Sequence, residues 1–212
     1  MLTLLLPVLL ASAVEVERVL ALVNNVPVLA SDVELAEVGA LVPREPAESD
    51  ADYSRAVLDA LVDLELRWQD LQTAGIAART QVDIDAAWRT TVERAGGEDA
   101  LRQKLAELGF NEAPLRELVR RAAVVQSYVA SRFGPFVRPT AKEVEAFWQQ
   151  ELVPELKSQG KAVPPLAEVR AKVEALLRER KLGAEIDRWT AELAKRAEIV
   201  RYLAPTGASP SR

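Results

Sequence analysis

Extended segments occur only at the two ends of this chain, and helical periodicity fills the length between them. The N-terminal segment reads Val19-Leu20-Ala21-Leu22-Val23, then Asn24-Asn25, then Val26-Pro27-Val28-Leu29. Asparagine tolerates the positive φ that a two-residue primed turn demands, so this stretch predicts a hairpin. Pro27 has no N–H for a ladder, which places the second strand at an edge or keeps it very short. A lone hairpin is marginal in water. A partner is available at the other end, where Ile199, Arg201 and Leu203 alternate with Val200 and Tyr202. The expected arrangement pairs this C-terminal strand with the hairpin. Three strands with helices on one face then bring the two ends of the domain side by side.

Between those ends the apolar residues repeat every three or four positions. Helices are predicted over 31–41, 52–73, 83–95, 98–108, 112–133, 141–151 and 166–197. The second carries Val57, Leu61, Leu64, Trp68 and Leu71 as one stripe, and the fifth carries Leu115, Leu118, Ala122, Val125, Val129 and Phe133. Ser31 with Glu34, and Thr140 with Glu143, read as capping boxes at helix starts. Gly75, Gly96-Gly97 and Gly109 punctuate the stops. Gly183 lies inside the last helix, at a cost of ~1 kcal/mol relative to alanine. Pro154, Gly160, Pro164 and Pro165 mark residues 152–165 as a linker.

The length of 212 residues suits one domain. The first seventeen residues, "MLTLLLPVLLASAVEVE", pass Ala11-Ser12-Ala13 before their first charge. That pattern reads as a secretory signal over 1–13 cleaved after Ala13, although no Lys or Arg precedes the apolar run. The run is too short to span a bilayer, which needs ~20 apolar residues. The domain is then expected over 14–204. It divides into N-terminal helices over 31–151, the linker over 152–165, and the C-terminal helix and strand over 166–203. A disordered tail is expected over 205–212.

Composition removes several function classes. The formal net charge of -5 argues against nucleic acid as a partner. The absence of cysteine excludes disulfides and thiolate metal sites. The absence of histidine excludes His-based triads and the commonest metal ligand. Acidic residues lack metal-loop spacing, and there is no glycine-rich phosphate loop, so no cofactor is expected. Asp83 and Asp85 read as helix-start charges rather than a catalytic pair. Residues 31–70 carry a net charge of -8 and residues 102–142 carry +5. The simpler expectation is that these helices face and partly neutralise each other.

"VERVLALVNNVPVLASDVE" resembles the opening of the SurA-type periplasmic chaperones. "RAVLDALVDLELRWQDLQTAGI" resembles the second helix of that family, and "LRQKLAELGFNEAPLRELVRRAAVVQSYV" its Leu-rich helix, Gly-aromatic turn and basic helix. "PTAKEVEAFWQQ" is similar to the segment leading into a parvulin-type prolyl isomerase domain. "LAEVRAKVEALLRERKLGAEIDRWTAELAKRAEIVRYL" is similar to the helix and strand that follow it. Residues 151–165 are too few to hold that enzyme domain, and parvulin sites typically carry histidine. The resemblance therefore implies a mainly α chaperone core with a small sheet, no enzyme activity and no cofactor. It implies periplasmic holding of unfolded clients, chiefly outer-membrane proteins. A non-catalytic scaffold module of an envelope complex, or a swapped homodimer, is the alternative.

Holding unfolded chains needs apolar surface that accepts many sequences. The candidate client-binding residues are Phe133 and Phe136, which flank a Gly134-Pro135 turn, with Trp88, Trp148 and Trp68. The tryptophans, Trp189 included, fall on apolar helical stripes, where core packing is the simpler reading.

Overall fold

A computed structural model describes residues 17–202. The expected leader (1–13) and tail (205–212) lie outside the described residues. Strand β1 spans Val19–Val23 and β2 spans Val26–Leu29. Asn24 and Asn25 take φ of 48° and 68°, the left-handed pair that a primed two-residue turn requires. Strand β3, Ile199–Arg201, lies antiparallel to β1 on its other side, giving the order β2-β1-β3. The Asn24 N–H donates to the Glu198 carbonyl and the Tyr202 N–H to the Leu20 carbonyl, both at 2.9 Å. The Asn24 side-chain oxygen also accepts from the Glu198 N–H at 2.8 Å. The two ends of the described chain are therefore zipped together, and Pro27 sits in an edge strand as its missing N–H demands.

The helices are α1 (Ala30–Val38), α2 (Asp50–Thr73), α3 (Ile84–Arg94), α4 (Glu98–Glu107) and α5 (Glu112–Arg132). After a short 3-10 turn at Gly134–Phe136 come α6 (Ala141–Phe147), α7 (Val153–Ser158) and α8 (Leu166–Ala194). Side-chain caps explain several starts. Ser49 accepts from the Asp52 N–H, Asp83 from Ala86 and Asn111 from Ala113. Thr140 and Glu143 exchange reciprocal bonds, so that capping box forms as expected.

Two local features differ from the sequence expectation. Helix α1 begins one residue before Ser31, and Asp32, not Glu34, accepts from the N–H at the cap, that of Leu29, at 2.9 Å. Strand β2 runs straight into the helix, and a bond from the Ala30 N–H to the Arg18 carbonyl fixes this earlier start. The second difference falls in the expected linker, whose first part, through Ser158, is helical. A π turn at Trp148–Leu152 widens the ladder, so that the Val153 N–H reaches the Trp148 carbonyl. Pro154 then falls at a fresh helix start, where its missing N–H costs nothing.

Apolar burial is divided among four clusters. The first joins the inner sheet face (Ala21, Val23, Val28) to α1, α2 and Leu193 near the end of α8. The second packs α1, α3, α4 and α5 around Leu101, Leu105 and Leu115. Gly39 belongs to this contact: a Cβ there would stand 2.8 Å from Leu115 Cδ1, so a larger residue must push the buried Leu115 side chain aside. The third lies between α2, α5 and the second half of α8. The fourth packs Val144, Phe147 and Trp148 against Val173 and Leu177 in the first half of α8. Helix α8 thus belongs to the main body by one half and to an α6–α7 arm by the other. The arm is also tied by Lys181 to Glu143 at 2.7 Å and by Arg180 to Glu151.

Candidate functional site

The end of α5 builds an aromatic corner. Phe133 is the last, half-exposed residue before the 3-10 turn, and the Phe136 N–H closes that turn onto the Phe133 carbonyl. Val137 takes the inward position after the turn and is buried, which leaves Phe136 pointing outward at 75% exposure. Behind it, Tyr128, Phe133 and Trp189 form a triangle with ring centroids 5.3 to 6.4 Å apart. Tyr128 and Phe133 meet edge to face at 83°. Such pairs add about 0.5–1.5 kcal/mol beyond area burial. The Trp189 indole N–H donates to Asp70 at 3.2 Å, which anchors the triangle to α2. The corner therefore has a rigid, half-buried base and one exposed ring.

The structure brings Phe133 and Phe136 together at this corner and places the three tryptophans elsewhere. Trp68 is 5% exposed in the third cluster, with Arg120 and Arg121 lying 4.9 and 5.7 Å from its ring centre. Trp88 is 8% exposed in the second cluster, with Arg116 at 4.0 Å. Trp148 is 5% exposed in the arm. Trp189, set among core stripes by its spacing, is half-exposed and completes the triangle, a position its helical spacing could not reveal.

Electrostatics at α2 and α5 are chiefly local. Glu117 accepts from Arg120 and Arg121 at 2.7 to 2.9 Å, and these bonds, Arg120 first, hold its carboxyl down to about 2. Among the described residues, the ion pair joining the acidic segment to the basic one is Glu65–Arg121 at 3.3 Å. Glu65 is buried and also accepts from Gln69 at 2.8 Å. The two segments thus face each other, but most arginines of α5 pair within their own helix. Asp32 lines a narrow cleft beside the Glu65–Arg121 pair, and burial pushes its carboxyl up. Burial likewise lowers Arg67, which donates to Thr190 at 2.9 Å and to Asp63 at 3.1 Å.

The cleft beside Glu65 and Arg121 encloses only about 50 Å³, far below the several hundred Å³ typical of ligand sites. A second cleft, of about 340 Å³, opens between the hairpin tip, α2 and the end of α8. Two of its polar side chains are already engaged: Gln69 donates to the Val23 carbonyl, and Asn24 donates to Gln69 at 2.9 Å. No group of acidic residues able to hold a metal ion occurs among the described residues, and no described helix is long and apolar enough to cross a membrane.

No family model matches the chain. Over 140 residues it is 27% identical to the protein named Chaperone SurA from Chromohalobacter salexigens, an alignment covering 64% of this chain. The chain spans 32% of the length of that relative. At this level the chain shares a distant likeness with part of that protein.

Proposed function

We propose that this chain is a holding chaperone, working in the periplasm on unfolded polypeptides, outer-membrane proteins among them, without prolyl isomerase activity. The likeness to Chaperone SurA carries the reading. The aromatic corner supports it, because Phe136 offers an apolar ring to solvent on a base already held by packing. Burying such rings needs neither nucleotide nor metal, only apolar area at ~25 cal/mol per Å². In this reading residues 14–204 act as one unit after loss of a leader over 1–13. Client contacts centre on Phe133 and Phe136. Trp68, Trp88 and Trp148 contribute only where local opening uncovers them.

The test dilutes a urea-unfolded membrane β-barrel protein into buffer with the purified chain and follows light scattering. Near-stoichiometric amounts slow aggregation. Unchanged scattering at large excess defeats the proposal. A single stable partner on pulldown, without general client binding, favours the scaffold alternative. A proline-peptide assay returns the uncatalysed rate.

A further inference from the structure

The small sheet has two edges, and the chain treats them differently. Residues of β1 alternate between partners: Val23 pairs with Val26 and Ala21 with Val28, while the bonds at Asn24–Glu198 and Leu20–Tyr202 turn the even positions toward β3. On β2 the residues facing outward are therefore Pro27 and Leu29. Pro27 has no N–H, and the Leu29 N–H is taken by the Asp32 carboxylate at 2.9 Å. That edge offers no donor from either position and is closed to strand addition, as edges that avoid pairing are.

Among the described residues, the β3 edge carries no such device. By the same alternation, Val200 pairs with Leu22, and the main-chain groups of Ile199 and Arg201 face away from the sheet. The two sides of this edge differ in chemistry. On the face turned from the helices, Val200 and Tyr202 are 37% and 46% exposed beside Leu22. On the helix side, Arg201 is paired with Asp59 at 3.0 Å, each half-exposed. The edge is apolar on one face and charged on the other.

We propose that the β3 edge takes up an extended, amphipathic stretch of unfolded polypeptide as a fourth strand, a mode that rests on the holding function above. Main-chain bonds to Ile199 and Arg201 need no particular client sequence, which suits a general holder. The alternation sets the preference: apolar client side chains lie beside Val200 and Tyr202, and polar ones beside Arg201 and Asp59. A strand of a membrane β-barrel has this alternation. A second copy is a poorer occupant. It would pair through a three-residue strand, giving far less than the roughly 1,000 Å² a stable interface buries. A long client joins this edge to contacts elsewhere on the chaperone, and effective concentration strengthens each.

The experiment uses the full chain and a labelled peptide of alternating valine and threonine, with its counterpart N-methylated throughout. Amide exchange of Ile199 and Arg201 is followed by NMR, and affinity by fluorescence anisotropy. The expected result is that the plain peptide slows exchange at both amides by about tenfold or more. The methylated peptide, lacking donors for two main-chain bonds, binds roughly 25-fold more weakly. Equal affinities with unchanged exchange overturn the proposal, as does failure of the plain peptide to bind. Protection that rises with protein concentration without peptide overturns it in favour of a second copy. If suppression of aggregation survives such a result, the holding function stands and only the edge is excluded. If suppression and peptide binding are both absent, the holding function fails as well.

Discussion

Replacing Phe136 with alanine separates client contact from stability. The ring is 75% exposed and belongs to none of the buried clusters. Its removal leaves no cavity, so stability changes by no more than about 0.5 kcal/mol. With ~200 Å² for a phenylalanine, roughly 150 Å² of apolar surface faces solvent. If a client covers half of that, ~75 Å² at ~25 cal/mol per Å² is about 2 kcal/mol, or roughly 25-fold in affinity. The assay compares urea midpoints and binding of an unfolded barrel protein for the wild type, Phe136→Ala and Trp148→Ala. Trp148 is buried in the arm, so its truncation costs about 3–5 kcal/mol of local packing. Phe136→Ala with full client affinity refutes the corner as a contact surface. A fall in its urea midpoint as large as that of Trp148→Ala refutes the claim that the ring does no structural work.

Three further outcomes follow from the packing and charge. Gly39→Ala drives a methyl to within 2.8 Å of Leu115 and costs about 1–3 kcal/mol, while Leu115→Ala costs about 2–5 kcal/mol. The double variant loses at least about 1 kcal/mol less than the sum; strict additivity in urea titrations defeats the close-approach argument. Gly183→Ala meets nothing within 4 Å and raises stability by up to ~1 kcal/mol by the same measure. The Glu117 carboxyl is held down to about 2 in the folded state, so its stabilisation is present above its ordinary range near 4.5 and is lost as pH falls toward 2. The stability advantage of wild type over Glu117→Gln therefore shrinks between those pH values, and a constant advantage contradicts the assignment.

The three-stranded sheet and the succession of helices were legible because local chemistry settles them. Asn24-Asn25 can supply two positive φ values, Pro27 marks an edge, and the alternation around Val200 leaves one plausible partner. The start of α1 was not legible, because Asp32 and Glu34 both lie within reach of a helix start. The choice depends on a bond from Ala30 to Arg18 across the sheet. Pro154 misled for a related reason. Proline breaks a helix in its interior and suits its start, and the π turn that creates the new start leaves no mark in the sequence. At the candidate site, Phe133 and Phe136 stood out by flanking a turn. Tyr128 and Trp189 join them through packing between α5 and α8, which helical spacing alone cannot reveal. The unequal edges of the sheet became visible only once the register was known.

A protein that holds unfolded chains must offer apolar surface without offering it to its own copies. Several exposed large apolar residues among those described lie near charge in the sequence. Phe136 lies between Arg132 and Arg138, Leu176 lies one helical turn from Lys172 and Arg180, and Tyr202 follows Arg201. A net charge of -5 per copy works against self-association. An unfolded client is not bound by that geometry, because its flexible chain can reach several sites in turn. Each contact is weak and releases quickly, while linkage through one chain makes the sum strong. In the proposed holding role, exposed apolar residues, one closed sheet edge and one short open edge favour long flexible partners over folded ones. Such selectivity, in the role proposed, would arise from spacing and need no energy source.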